Sequence, residues 1–167
     1  MKEIKLTIDG KEIQLTDEQL KMLGIEPEKK RKNPFKRVAE DEVYFQIGTD
    51  GDVFSLYEDG TTSDEEAVSC VNYFNDEEFA KQVALHQLLY RKLLKFAYDN
   101  ECEDTTEWDG VNSHWHITYN KVNDVFITMK RRTSKELTIC FSTEEGANRA
   151  ITEVVEPFVK EHPEFVW

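Results

Sequence analysis

No run of eighteen apolar residues occurs among the 167 positions, so the sequence offers no membrane-spanning helix. Cysteine is scarce: Cys70, Cys102 and Cys140 are odd in number, widely spaced and form no C-x-x-C pair. That pattern argues against a disulfide framework and against a thiolate zinc site. Three free thiols in a reducing cytoplasm are the simplest reading, and the cytoplasm is the expected location. The opening Met1-Lys2-Glu3-Ile4-Lys5 alternates apolar and charged residues and lacks the apolar core of a secretory leader. No Ser or Cys stands in a G-x-S-x-G elbow, no Gly-rich loop precedes a helix, and Gly48-x-x-Gly51 reads as a hairpin loop. With neither a catalytic nor a cofactor motif, the expectation is a chain that is not an enzyme and carries no cofactor.

Acidic charge, by contrast, is abundant. Thirty-four Asp and Glu face twenty-one Lys and Arg, a net charge of −13, which repels nucleic acid and anionic lipid surfaces. The partners expected are therefore proteins, with no direct nucleic acid and no membrane. The excess is concentrated between Glu40 and Glu78, where thirteen acids stand without a single Lys or Arg. Immediately before it lies the opposite block, Lys29-Lys30-Arg31-Lys32 with Lys36 and Arg37. A second acidic cluster runs from Asp99 to Asp109.

The pattern of elements reads as α+β. Ile4, Leu6 and Ile8 alternate, Asp9-Gly10 is a turn dipeptide, and Ile13 and Leu15 resume the alternation; a short helix follows over Asp17–Leu23. This hairpin–helix appendage, residues 1–24, is too small to bury a core alone and connects through a basic linker, 25–37, to a main domain over 34–167. There, Val43–Ile47 and Val53–Tyr57 form an aromatic-rich hairpin, and a third short strand is expected near Val68–Tyr73. Asn75 with Glu78 reads as the capping box of a long helix over 76–98. Trp115–Tyr119, Val125–Met129 and Leu137–Phe141 read as an antiparallel meander, and Ser142 with Glu145 as the cap of a second helix interrupted or continued at Pro157. The expected architecture is two-layer, ββ(β)α–βββα, antiparallel sheet against two helices. Its halves look like a loose duplication, although no residue-level repeat stands out. Phe45, Phe54, Phe79, Leu89, Leu93, Ile117, Phe126, Ile139, Phe141, Ile151 and Val154 are the expected core.

Candidate chemistry is sparse. His114 and His116, two apart on a strand, would point the same way, as two ligands of one metal must, but a third ligand would have to come from Cys140 or a loop carboxylate. A polar strand face is the simpler account, and no metal is expected. Asp50-Gly51-Asp52 and Glu58-Asp59-Gly60 lack the alternating ligands and closing Glu of a calcium loop and read as turns. Lys130-Arg131-Arg132 reads as a solvated hairpin tip with the chemistry to touch phosphate.

The opening hairpin and helix, Asn33-Pro34-Phe35-Lys36-Arg37-Val38, the Tyr-rich hairpin over 43–57, Asn72-Tyr73-Phe74-Asn75 before a long helix ending Leu93-Leu94-Lys95-Phe96-Ala97, Phe141-Ser142-Thr143-Glu144-Glu145, and Pro157-Phe158 through Phe165-Val166-Trp167 stand together. In this combination the chain resembles small, acidic proteins encoded by phages and integrated mobile elements of Gram-positive bacteria. The resemblance spans nearly the whole chain and carries over no catalytic residues. It implies a setting in which such proteins inhibit host defence, CRISPR nucleases included. Defence nucleases hold nucleic acid in positive channels that an acidic surface can occupy. The expected partner is therefore a basic host protein that handles nucleic acid, bound through Asp50, Asp52, Glu58, Asp59, Asp64, Glu65 and Glu66. A non-inhibitory phage accessory or assembly role is the alternative.

Overall fold

The computed structural model describes residues 5–8, 11–14, 22, 33–135 and 137–167, the first two segments through their backbone. The chain divides into two compact units, Met1–Asn33 and Pro34–Trp167. In the first, β1 (Lys5–Ile8) pairs antiparallel with β2 (Lys11–Gln14) in the register Ile8↔Lys11, the tight hairpin that the Asp9-Gly10 dipeptide calls for. The helix expected over Asp17–Leu23, apart from Met22, and the basic linker over 25–32 lie outside the described residues.

The second unit is α+β, built from two antiparallel hairpins and their helices. β3 (Val43–Ile47) pairs with β4 (Val53–Tyr57), and β5 (His114–Asn120) with β6 (Val125–Arg131). Between the hairpins lie α1 (Thr62–Ser69) and the long α2 (Glu77–Asp99). After β6 comes α3 (Glu144–Ala150), which runs on through a π-helical turn (Ile151–Val155) into α4 (Glu156–Glu161), and Pro157, which has no N–H to donate to the preceding turn, falls just where the regular α-helical bonding is interrupted.

Two expected strands are absent. The stretch around Val68–Tyr73 is instead the end of α1 and a reversal at Val71, whose φ is 60°. Asn72 then does the work of a strand residue: its side-chain amide accepts from the Ile47 N–H and donates to the Ile47 carbonyl, both at 2.9 Å, and Phe74 completes the edge by exchanging backbone hydrogen bonds with Phe45. The stretch Leu137–Phe141 is likewise irregular. Only Phe141 reaches the sheet, exchanging backbone bonds with Trp115, while Leu137 is fully exposed. The meander is thus a hairpin with a one-residue bridge.

These two bridges reveal the repeat. Aligned without a gap, Tyr73-Phe74-Asn75-Asp76-Glu77-Glu78-Phe79-Ala80 and Cys140-Phe141-Ser142-Thr143-Glu144-Glu145-Gly146-Ala147 are identical at four of eight positions, Phe74/Phe141, Glu77/Glu144, Glu78/Glu145 and Ala80/Ala147. In each, a buried Phe bridges the first strand of the preceding hairpin. Two residues later an N-cap side chain accepts from the N–H three positions on, Asp76 from Phe79 at 3.0 Å and Thr143 from Gly146 at 3.0 Å, and a fully buried Ala follows. Both caps sit one residue beyond the expected Asn75 and Ser142. Asn75 is engaged elsewhere, its amide donating to the Lys36 carbonyl and its N–H to the Pro34 carbonyl, and the Ser142 N–H donates to Cys102.

The main core gathers Leu89, Leu93, Phe96 and Ala97 of α2 against Ile117, Ile139, Phe141, Ile151, Val155 and Phe158. Phe45, Phe126 and Val154 are half-buried, whereas Phe54 and Phe79 are exposed, contrary to expectation. Phe79 rests edge-on against Phe35 at 5.4 Å, on the rim. A smaller core lies beneath the first hairpin, where Tyr44, Ala67 and Tyr73 are buried with Val38 and Leu56 around them.

Candidate interaction surface

Charge repulsion and hydration put most of the acidic window outside, and the exceptions organise the small core. Of the seven acids expected to meet a partner, Asp50, Asp52, Asp59, Glu65 and Glu66 are exposed, whereas Glu58 and Asp64 are each only 3% exposed. Those two therefore face inward and are closed to a partner, contrary to the expectation that all seven acids meet one.

Each inward carboxylate is fully partnered, which is what makes its burial tolerable. Glu58 receives Arg37 on both oxygens, Nη2 at 2.7 Å and Nε at 2.8 Å, together with the Tyr73 hydroxyl at 2.8 Å and the Gly60 N–H at 3.0 Å. The paired guanidinium holds its carboxyl down to about 2. Asp64 receives the Tyr44 hydroxyl at 2.6 Å and the Thr61 N–H at 2.8 Å, the second being the return half of a capping box at the start of α1. The Tyr44 hydroxyl holds this carboxyl at about 2 as well. The two tyrosines stack face to face, centroids 4.1 Å apart and planes 10° from parallel. Burial pushes the Tyr73 hydroxyl up to about 12 and the Tyr44 hydroxyl higher still. Arg37 also reaches Glu65 at 2.5 Å, so the last cation of the basic block is spent clasping the acidic window.

Outside this network, eleven acids of the window are exposed. Lys81 offsets Glu77 and Glu78, and Arg37 offsets Glu65. Among the described residues, Glu40, Asp41, Asp50, Asp52, Asp59 and Glu66 form no ion pair. Asp50 and Asp52 sit at the loop end of the first hairpin, where the Asp50 carboxylate accepts the Asp52 N–H at 3.1 Å, and Asp59 lies just past the other end of β4. Of three large aromatics on the hairpins, Tyr57 is 65% exposed, Trp115 half-buried and Tyr44 wholly buried.

The histidine pair obeys strand parity but points into the protein: His114 is 0% and His116 4% exposed. His114 Nδ1 donates to Asp104 Oδ2 at 2.6 Å, and the Trp108 indole stacks on its ring at 3.6 Å. Burial alone would raise the Asp104 carboxyl, but hydrogen bonds from Thr106 and His114 more than offset it and hold it low. No cluster of three or more His, Cys, Asp or Glu among the described residues has the geometry to hold a metal ion. Lys130 and Arg131 end β6 rather than forming a hairpin tip, with Lys130 Nζ 5.4 Å over the Trp115 ring.

Sequence reasoning missed the inward turn of Glu58 and Asp64. A signal was present, since Asp64 stands three residues after Thr61 at the start of a polar segment, the spacing of a capping box. No helix among the described residues is long and apolar enough to cross a membrane. Neither a protein-family model, nor a curated protein, nor a solved structure matches the chain.

Proposed function

We propose that the chain is a phage or mobile-element accessory protein that inhibits a host defence nuclease in the manner of an anti-CRISPR, its acidic surface engaging the positive channel where the enzyme holds nucleic acid. The observation that carries the proposal is the concentration of exposed, unpaired carboxylates on residues 40–66, with the loop of the first hairpin at one end of β4 and Asp59 at the other. Such a surface raises association rates with a cationic cleft through long-range steering and suppresses binding to nucleic acid of its own sign. The partner is a basic protein of the host cytoplasm. The resemblance to small phage-encoded proteins supplies the biological setting.

The test uses the purified chain and its quintuple variant Asp50→Asn, Asp52→Asn, Asp59→Asn, Glu65→Gln, Glu66→Gln. Both are assayed for inhibition of purified RNA-guided nucleases from Gram-positive bacteria and for association rate across a salt series. Inhibition by the parent, slower association by the variant and a flatter salt dependence are expected, because steering is screened beyond about 8 Å at physiological ionic strength. A variant that inhibits with unchanged salt dependence refutes the acidic-surface mechanism.

A further inference from the structure

The two edges of the first hairpin are treated differently. On β3, Phe45 and Ile47 turn their N–H and C=O groups away from β4, and every one of those groups is bonded, to Phe74 and to the Asn72 side chain. Antiparallel pairing alternates, so the residues of β4 opposite them, Ser55 and Val53, also turn their backbone groups outward, as does Tyr57 opposite Val43. The sheet has two strands, and no backbone hydrogen bond to Val53, Ser55 or Tyr57 comes from that outer side among the described residues. Ser55 is exposed, and Phe54 and Tyr57 flank it at 42% and 65% exposure. Among the described residues this edge is unprotected, and β4 itself carries no proline, bulge or lysine to blunt it.

The surroundings select the occupant. Asp50 and Asp52 lie at one end of β4 and Asp59 at the other, all exposed and forming no ion pair among the described residues, and between them stand two exposed aromatic rings, Phe54 on one face of the strand and Tyr57 on the other. The outer edge of β6 ends instead in the basic Lys130 and Arg131, with Arg132 next in the chain. We propose that the outer edge of β4 takes up an extended, lysine- or arginine-rich segment of a partner protein as an added strand. Val53, Ser55 and Tyr57 supply the backbone ladder, and Asp50, Asp52 and Asp59 select basic side chains. The proposal rests on the acidic-surface reading for the sign of the partner's charge and adds the mode of attachment.

The experiment titrates the full chain with a six-residue peptide alternating lysine and valine, followed by amide chemical shifts. Its controls are the same peptide N-methylated at alternate residues and a glutamate–valine counterpart. Shifts centred on Val53, Ser55 and Tyr57 are expected, with at least tenfold weaker binding on N-methylation and no binding of the acidic peptide. Ser55→Pro removes an N–H that the β3–β4 ladder does not use and should weaken the lysine peptide by a similar factor. If that variant fails to fold, the N-methylated peptide gives the same answer on the unaltered chain. Binding indifferent to both N-methylation and Ser55→Pro, but lost in the quintuple acidic variant, overturns strand addition while leaving the acidic surface standing. Strand addition that persists when the acidic variant inhibits its nuclease unchanged sinks the channel reading instead. Absence of binding, or self-association through β4 that excludes the peptide, overturns the proposal.

Discussion

Gly146→Ala tests the packing where the second repeat closes. Gly146 is the third residue of α3, and its N–H donates to Thr143 Oγ1. A Cβ placed there would lie 2.8 Å from Cys102 Cβ, 3.1 Å from Cys102 Sγ and 3.1 Å from Thr143 Oγ1. Cys102 has little room to retreat, since its N–H donates to the Ala97 carbonyl at 2.9 Å and its own carbonyl accepts from Ser142 at 3.0 Å. Alanine favours a helix over glycine by up to about 1 kcal/mol. Forcing an extra carbon into a filled core costs about 1–3 kcal/mol. The clash is with a backbone-anchored carbon rather than a flexible tip, so the overpacking term wins and a net loss of about 1–2 kcal/mol is expected. For a unit of this size that lowers Tm by roughly 3–8 °C, read by thermal unfolding in circular dichroism. Gly48→Ala is the control: its closest neighbour, at 2.6 Å, is the carboxylate tip of the exposed Asp50, which can swing away, so a smaller loss is expected. An unchanged or raised Tm for Gly146→Ala refutes the reasoning.

Within the acidic window, the five exposed substitutions of the quintuple variant should leave Tm within a few degrees, whereas Glu58→Gln and Asp64→Asn should each lower it clearly, because both carboxylates are buried and partnered. Both groups are held at about 2, below their ordinary range, so their contribution to stability is complete above about pH 4.5 and is lost as pH falls toward about 2; a urea midpoint that fails to drop over that interval contradicts the network. Val71 holds φ at 60° just past the end of α1 while 62% exposed. Val71→Asn should therefore stabilise by about 1 kcal/mol, seen as a higher denaturation midpoint. Among the thiols, exposed Cys70 should react first with a thiol reagent and buried Cys102, whose thiol burial pushes up, more slowly; the reverse order would contradict its placement.

The long α2 was legible because its apolar residues recur at helical spacing over twenty-three positions, and the hairpins because alternating aromatics meet turn dipeptides. The short α1 was not, because only Ala67 and Asp64 are buried along its eight residues, which leaves no apolar stripe to read. Apolar alternation suggested a strand at Leu137–Phe141, but alternation marks a strand only where a neighbour exists to pair with, and there only Phe141 finds one.

Charge, its concentration in one window, the α+β class and the helical register of α2 are properties of residue type and spacing, and these are carried along the chain itself. Which acids face outward is a different kind of fact. Arg37 lies twenty-one residues before Glu58, and Tyr44 twenty before Asp64, and no local periodicity announces either pairing. Burying a carboxylate is tolerable only when donors converge on it from distant segments. Tertiary structure alone therefore decided that Glu58 and Asp64 hold the small core together while Asp50, Asp52 and Asp59 are left to frame an open strand edge.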